Sequence, residues 1–489
     1  MEKVQILVFI MNVLLYSFVL PALGEARPGP QNGPPPEAYT ACEGKKRGDT
    51  AEFTSPFGHV ITGTCVAERR RLFLRPDSPP ERGGELRREA RQDVRRGSRR
   101  DERQGQGQVV VTPSPQGKPG KYPVVDTGVK TFYGSRSIIS APKRGQRFYG
   151  QDAQYKGKQP AYRDNRDGTV TDEVTGLMWE KDMGKKMTWA QGMVKARKST
   201  LAGYTDWRVP TIKELYSLIL FTGRHGGRRG EDTVPYINTR YFKQPLGNRS
   251  AGERIIDAQT WSATRYTGRG MVGGASIFGV NFIDGRIKAY PERHPRSGEE
   301  KKLYVRLVRG NKEYGKNLFQ DNGDGTISDL ATGLMWQQTD DGKARDWEDS
   351  LSYAEGLRLA GYTDWRLPNA KELQSIVDYN RSPVATSSPA IDPLFQTSRI
   401  SAPDGQLQYP YFWTSTNHQG GRRYYEQAVY IAFGRALGDM HGGIIDVHGA
   451  GAQRSDPKTG APDDYPSYFG PQGDMRVVFN YVRCVRDIQ

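Results

Sequence analysis

Apolar positions along this chain follow two rhythms, and the order of those rhythms occurs twice. Thr326-Ile327-Ser328 alternates behind the turn residues Asn322-Gly323-Asp324-Gly325, and Thr332-Gly333 precedes Leu334-Met335-Trp336, which predicts strand, turn, strand. Trp347, Leu351, Ala354 and Leu357 then recur at helical spacing behind Asp346, a good N-cap, and Thr188, Trp189, Met193 and Ala196 play the same parts earlier in the chain. A second helix is marked by a capping box, Thr211 with Glu214 and Asn369 with Glu372, ahead of the apolar stripes Leu215, Leu218, Ile219 and Leu373, Ile376, Val377. The remainder of each stretch reads as strands and loops. Trp261-Ser262-Ala263-Thr264 matches Trp413-Thr414-Ser415-Thr416, residues 280–286 match 429–435, and YVR-x-VR closes both at 304–309 and 481–486. Two early helices and a later antiparallel sheet predict an α+β domain.

The recurrence is literal as well as rhythmic. DNRDGTVTDEVTGLMW at 164–179 returns as DNGDGTISDLATGLMW at 321–336, and LAGYTDWRVPTIKEL at 201–215 returns as LAGYTDWRLPNAKEL at 359–373. The chain therefore holds two copies of one domain, 160–310 and 311–489, each long enough to bury a core of its own. The copies differ mainly in loops: the second carries an insertion at about 437–475, rich in Gly, Asp, Pro and His. Long insertions on a rigid scaffold are where binding function usually sits.

Ahead of the copies the character changes. Met1-Glu2-Lys3, an apolar run from Val4 to Leu20 and small residues after it describe a secretory signal over 1–26, cleaved after Gly24 or Ala26, with an uncut membrane anchor as the alternative. Residues 27–67 form a small module around Cys42 and Cys65, expected to be disulfide-bonded in an oxidising compartment and too small to fold without that bond. Residues 68–122 are Arg-dense, poor in aromatics and broken by Pro and Gly, which predicts a disordered linker, followed by a connecting segment at 123–159. Cys484 stands where the first copy has Leu307, which predicts a buried thiol. These features place the chain outside the cytoplasm: secreted, periplasmic or at the cell surface.

The formal net charge of +16 conceals an asymmetry: residues 160–310 carry +11 and residues 311–489 carry −6. One fold thus exists in a basic and an acidic edition. That favours either a polyanionic partner for the first copy or pairing of the two copies with each other.

The GLMW, GYTDWRLP-x-x-x-EL and YVRCVR motifs resemble the DUF1566 family, the domain found at the C-terminus of the Legionella collagen-like adhesin. The resemblance covers about 160–310 and 320–489. It implies a C-type-lectin-like fold in tandem, related to formylglycine-generating-enzyme domains through the WRLPNAKEL-type helix start. It further implies an extracytoplasmic domain, in some members a binder of sulfated glycans. The copper-using oxidation of those enzymes resembles two-cysteine chemistry and does not carry over, since the copies offer Cys484 alone.

Other chemistry is sparse. The DNxDGT blocks fail as calcium loops, because counting Gly325 as the sixth position puts Ala331 where a bidentate Glu is required; turns with local Asp and Asn bonds explain them better. The six histidines show no zinc spacing, and no nucleophile elbow, P-loop or dinucleotide fingerprint stands in a fitting context. No catalytic residue, metal or cofactor is expected. The Asp206-Trp207-Arg208 and Asp364-Trp365-Arg366 triplets read as a packed Trp flanked by a structural ion pair. Candidate binding residues are Arg224, Arg228 and Arg229 in a Gly-rich loop, suited to sulfate, phosphate or carboxylate, and His441, Asp446 and His448 in the insertion. The expected partner is an acidic polysaccharide or cell-surface glycan, with no nucleic acid, and a membrane only through an uncut signal. An enzyme built in the insertion and a purely structural envelope protein are the alternatives.

Overall fold

The computed structural model describes residues 40–54, 60–68, 71–76, 122–226, 232–270, 273–295, 297–421, 423–440 and 442–488. They divide between a unit ending at Thr112 and a unit starting at Pro113.

In the first unit, strands Thr50–Thr54, Val60–Glu68 and Arg71–Pro76 form an antiparallel sheet with Val60–Glu68 in the middle. The Cys42–Cys65 disulfide closes on Ala51 and Leu74, a buried cluster too small to hold the sheet by apolar burial alone. The boundary expected at 67 moves to 76. Leu74 pairs with Cys65 and is 1% exposed, so the alternation of Leu72 and Leu74 continues the module into what composition alone assigned to the linker. Residues 77–121 of the expected linker and the apolar run at 4–20 lie outside the described residues.

The second unit is α+β and antiparallel, and the two copies are built alike within it. Each opens on a hairpin, Thr169–Asp172 with Leu177–Glu180 and Thr326–Asp329 with Leu334–Gln337, as the alternation predicts. The YVR-x-VR strands close these small sheets, Val308–Gly310 against Leu177–Glu180 and Val485–Asp487 against Leu334–Gln337. Helices Trp189–Lys198 and Trp347–Gly356 start at Thr188 and Asp346, whose side chains accept from the N–H three residues on. The short helices Ile212–Ser217 and Ala370–Ser375 carry complete capping boxes. The DNxDGT turns use their own side chains: Asp167 Oδ1 accepts from Thr169 N at 3.0 Å, and Asp324 Oδ1 from Thr326 N at 3.1 Å.

The repeated motifs form one conserved bracket. Trp207 and Trp365 are buried, as expected of packed tryptophans. The flanking ions, however, do not pair with each other. Asp206 accepts from Arg309 Nε at 2.7 Å and Asp364 from Arg486 Nε at 2.8 Å, so the triplet grips the closing strand. Arg208 and Arg366 instead bind the capping-box carboxylates Glu214 and Glu372. The remaining motif arginines, Arg306 and Arg483, are fully buried and donate to backbone carbonyls: Glu180, Lys181 and Lys243 for one, Gln337, Gln338 and Gln396 for the other. Charged groups survive at such depth because both terminal guanidinium nitrogens meet carbonyl acceptors, while Nε of each is left without one among the described residues.

Between the copies lies one six-stranded sheet. Its order is Thr260–Arg265, Ser276–Asn281, Arg286–Pro291, Gln453–Pro457, Gln427–Ala432, Tyr411–His418, three strands from each copy related by a pseudo-twofold axis. Gln453–Pro457 comes from the insertion, which is therefore not all loop: it supplies the second copy's third strand. The two central strands meet at Ile287 and Gln453. That register brings Arg286 beside Arg454 on the pseudo-axis.

One face of this sheet packs on both capping-box helices and forms a core drawn from both copies, including Leu215, Phe278, Val280 and Ile287 with Leu373, Val377, Val429 and Ile431. The opposite face keeps two separate cores, around Trp207, Trp261 and Tyr290 in the first copy and Trp365, Trp413 and Tyr430 in the second. Each copy thus buries one core of its own and half of a common one. Lysines clasp the common side. Lys213 Nζ donates to Ser375 O at 2.6 Å, and its counterpart Lys371 donates to Ser217 O at 2.8 Å, each crossing to the end of the other copy's helix.

Candidate functional site

Where the two halves of the sheet meet, on the face away from the helices, the row of apolar side chains is interrupted. Arg286 and Lys288 alternate along one strand, and Arg454 faces them from the other copy. Like charges opposed across a ladder repel, so this arrangement needs compensation. Part of it comes from Asp284, 3.5 Å from Arg286, and from Asp474, which pairs with Arg454. The rest is incomplete. Arg454 is 4% exposed, yet among the described residues its Nη1 has no partner, and neither has Arg286 Nε. Lys288 Nζ reaches Gln472 Oε1 at 3.1 Å, a neutral acceptor. Burial and the neighbouring Arg454 push Lys288 well below the ordinary lysine range, and burial with Arg286 lowers Arg454 to about 10.

These three cations floor an open cleft of about 1190 Å³ between the first copy and the insertion, with Lys186, Arg254, Lys301 and Lys302 among its other lining residues. Of its wall carboxylates, Glu253 and Asp257 are paired, with Lys186 at 2.5 Å and Arg254 at 2.6 Å, and Glu299 and Glu300 also line the rim, so the cations concentrate at the floor. Phe469 and Tyr290 add aromatic surface. The arrangement can bind an oxyanion through guanidinium N–H groups and an ammonium, and sugar-sized ligands fit its volume.

The candidate residues chosen from the sequence fall elsewhere. Arg224 is exposed; its Nε donates to Asp232 O at 3.1 Å and its guanidinium lies 5.7 Å from the Tyr424 ring centre of the other copy. Arg228, Arg229 and His441 lie outside the described residues. Asp446 and His448 do not form one cluster. Asp446 is a brace, accepting from Ala436 N, Gly449 N and, at 2.5 Å, the Tyr266 hydroxyl of the first copy; burial raises its carboxyl to about 6. His448, held neutral by burial, has its Nε2 2.6 Å from Asp474 Oδ1 and so orients the carboxylate that grips Arg454. Among the described residues, no group of three or more His, Cys, Asp or Glu could hold a metal ion. Cys484 is buried and its thiol is pushed far up by desolvation, so it is chemically quiet.

Sequence reasoning missed Arg286, Lys288 and Arg454. One signal was available. The matched blocks 280–286 and 429–435 differ at Asn281 against Tyr430 and Asp284 against Phe433, a polar substitution on one copy alone.

The family model of the Lcl C-terminal domain matches residues 168–309 and again 325–445. The chain belongs to this family. No curated protein and no solved structure shows a match. Membership suggests an adhesin-like, extracellular domain, and the Lcl C-terminal family is surface-associated. The Cys42–Cys65 disulfide agrees with an oxidising compartment. Among the described residues no helix is long and apolar enough to cross a membrane. The second Lcl match ends at 445, so Arg454, one of the three floor cations, lies with Gln472 and Asp474 in sequence beyond the family's pattern.

Proposed function

We propose that this chain is an exported, non-catalytic binding protein of adhesin type that recognises an acidic glycan or another anionic cell-surface polymer, and that the cleft at the seam of the two repeats is where it does so. The observation that carries this reading is the pair Arg286 and Arg454, each with a buried guanidinium N–H that no group among the described residues accepts, set beside Lys288. An arriving carboxylate or sulfate would supply the missing acceptors and relieve the repulsion at once.

The test is calorimetric titration of the full chain with an acidic hexasaccharide and a neutral one of equal length. The acidic ligand should bind, with affinity falling as salt rises. Lys288→Ala and Arg454→Gln should each weaken it about tenfold, a loss of about 1.4 kcal/mol. Equal binding of both sugars, or full binding by both variants, would remove the cleft from consideration. Loss of binding in an Arg224, Arg228, Arg229 triple Ala variant with both cleft variants intact would move the site to that loop.

A further inference from the structure

The capping-box helices give each repeat a groove beside its Arg and Thr, and the two grooves are not treated alike. In the second repeat the groove is filled by the chain's own segment 122–158. Asp152 Oδ2 accepts from Thr416 Oγ1 at 2.6 Å, and three residues on Tyr155 lies with its ring centre 5.2 Å from the Arg366 guanidinium. Thr127 Oγ1 donates to the same Asp152 oxygen at 2.7 Å, and Asp126 O accepts from Lys371 Nζ at 3.0 Å. Asp152 is 4% exposed, so this is a fully seated contact.

The first repeat presents the same fittings. Thr264 is the counterpart of Thr416 and accepts from Ile212 N at 3.0 Å, as Thr416 does from Ala370 N at 2.9 Å. Arg208 is the counterpart of Arg366, and Lys213 of Lys371. The segment between the repeats covers only one end: Asn317 Oδ1 accepts from Lys213 Nζ at 2.7 Å, standing in for Asp126 O. Beside that contact a groove of about 470 Å³ remains, lined by Thr264, Arg208, Lys312 and Lys316 on one hand and by Asp378 and Asp392 on the other. Among the described residues no acceptor meets the Thr264 hydroxyl proton. Arg208 Nη1 is buried without a partner, and the Arg208 side chain is 26% exposed where that of Arg366 is 8%.

We infer that this groove of the first repeat is a docking site for a partner peptide that presents a carboxylate three residues ahead of an aromatic ring. The carboxylate takes the Thr264 proton, and the ring covers the Arg208 guanidinium, as Asp152 and Tyr155 do on the twin. Lys312, exposed at the groove, adds attraction for an acidic segment. The site is distinct from the seam cleft and owes nothing to glycan binding.

A fluorescent peptide with the sequence of residues 146–158 is the probe, titrated into the full chain and followed by anisotropy. Saturable binding is expected. Thr264→Val and Lys312→Glu should each weaken it about tenfold, as should Asn in place of Asp152 or Ala in place of Tyr155 within the peptide. Both protein substitutions sit at partly or fully exposed positions, and unchanged circular-dichroism melts would show that the fold survives. Absence of binding overturns the inference, and so does binding that neither protein substitution weakens. Binding that Thr416→Val alone abolishes also overturns it, because the peptide would then be exchanging with the chain's own segment at the second repeat.

Discussion

In the sheet Arg286 and Arg454 occupy equivalent places, opposite Asn281 and Tyr430, although in sequence Arg286 aligns with Arg435; two residues along each strand stand Lys288 in the first repeat and Asp456 in the second. The surroundings diverge in the same sense. Asn281 and Asp284 line the cleft on one side, while their counterparts Tyr430 and Phe433 are packed into apolar clusters on the other. Nothing comparable separates the brackets: Trp207 and Trp365, Arg306 and Arg483, and the two capping boxes superpose role for role. The repeats share the residues that close each fold and differ at the seam, so it is at the seam that the two copies part chemically.

The largest way to break this comparison is to separate the repeats. A chain of residues 113–310 would expose its half of the common core and lose the central strand pairing, so it should show no cooperative urea transition; a sharp transition would mean that the separate core suffices. Next come the buried arginines. Arg306→Met and Arg483→Met should each cost about 3–5 kcal/mol, because several buried carbonyls lose their donor, and Arg483 should cost more since it also meets Thr397 and lies 3.7 Å from Asp340. Chemical denaturation of both variants would reveal whether the twins are equal.

The first unit offers a smaller contrast, since its cohesion rests on one covalent link. Replacing Cys42 and Cys65 with Ser should destabilise that module by about 3 kcal/mol, enough to unfold it while leaving residues 113–489 intact; proteolysis confined to the N-terminal part would be the readout. The smallest effect sharpens the seam. Lys288 titrates below the ordinary lysine range in the free cleft, and a bound anion favours its charged form, so binding takes up a proton. Affinity for an acidic hexasaccharide should therefore fall as pH rises through that lowered range, by no more than tenfold per pH unit, and Lys288→Met should flatten the profile.

Much of the fold was legible. Turn residues, capping boxes and period-two alternation located both hairpins and four helices, and the expected Cys42–Cys65 bond is present. The site was not. Asp446 and His448 were sensible candidates by residue type, yet one braces a turn against Tyr266 and the other orients Asp474. Their roles depend on what the fold places opposite them. Strand Gln453–Pro457 escaped notice for a related reason: its QRSDP sequence has no apolar alternation, because it lies buried between two strands whose own side chains supply the apolar contacts.

By itself the sequence determined the duplication, the α+β class and the local elements, since caps, turns and side-chain periodicity act over a few residues and survive in any tertiary setting. Only the tertiary structure decided that the repeats share a sheet, that lysines of each clasp the helix of the other, and that two arginines 168 positions apart stand side by side. The reason is physical: pairing between central strands is fixed by backbone hydrogen bonds and by burial of both faces, and neither leaves a periodic mark on the residues that end up at the seam.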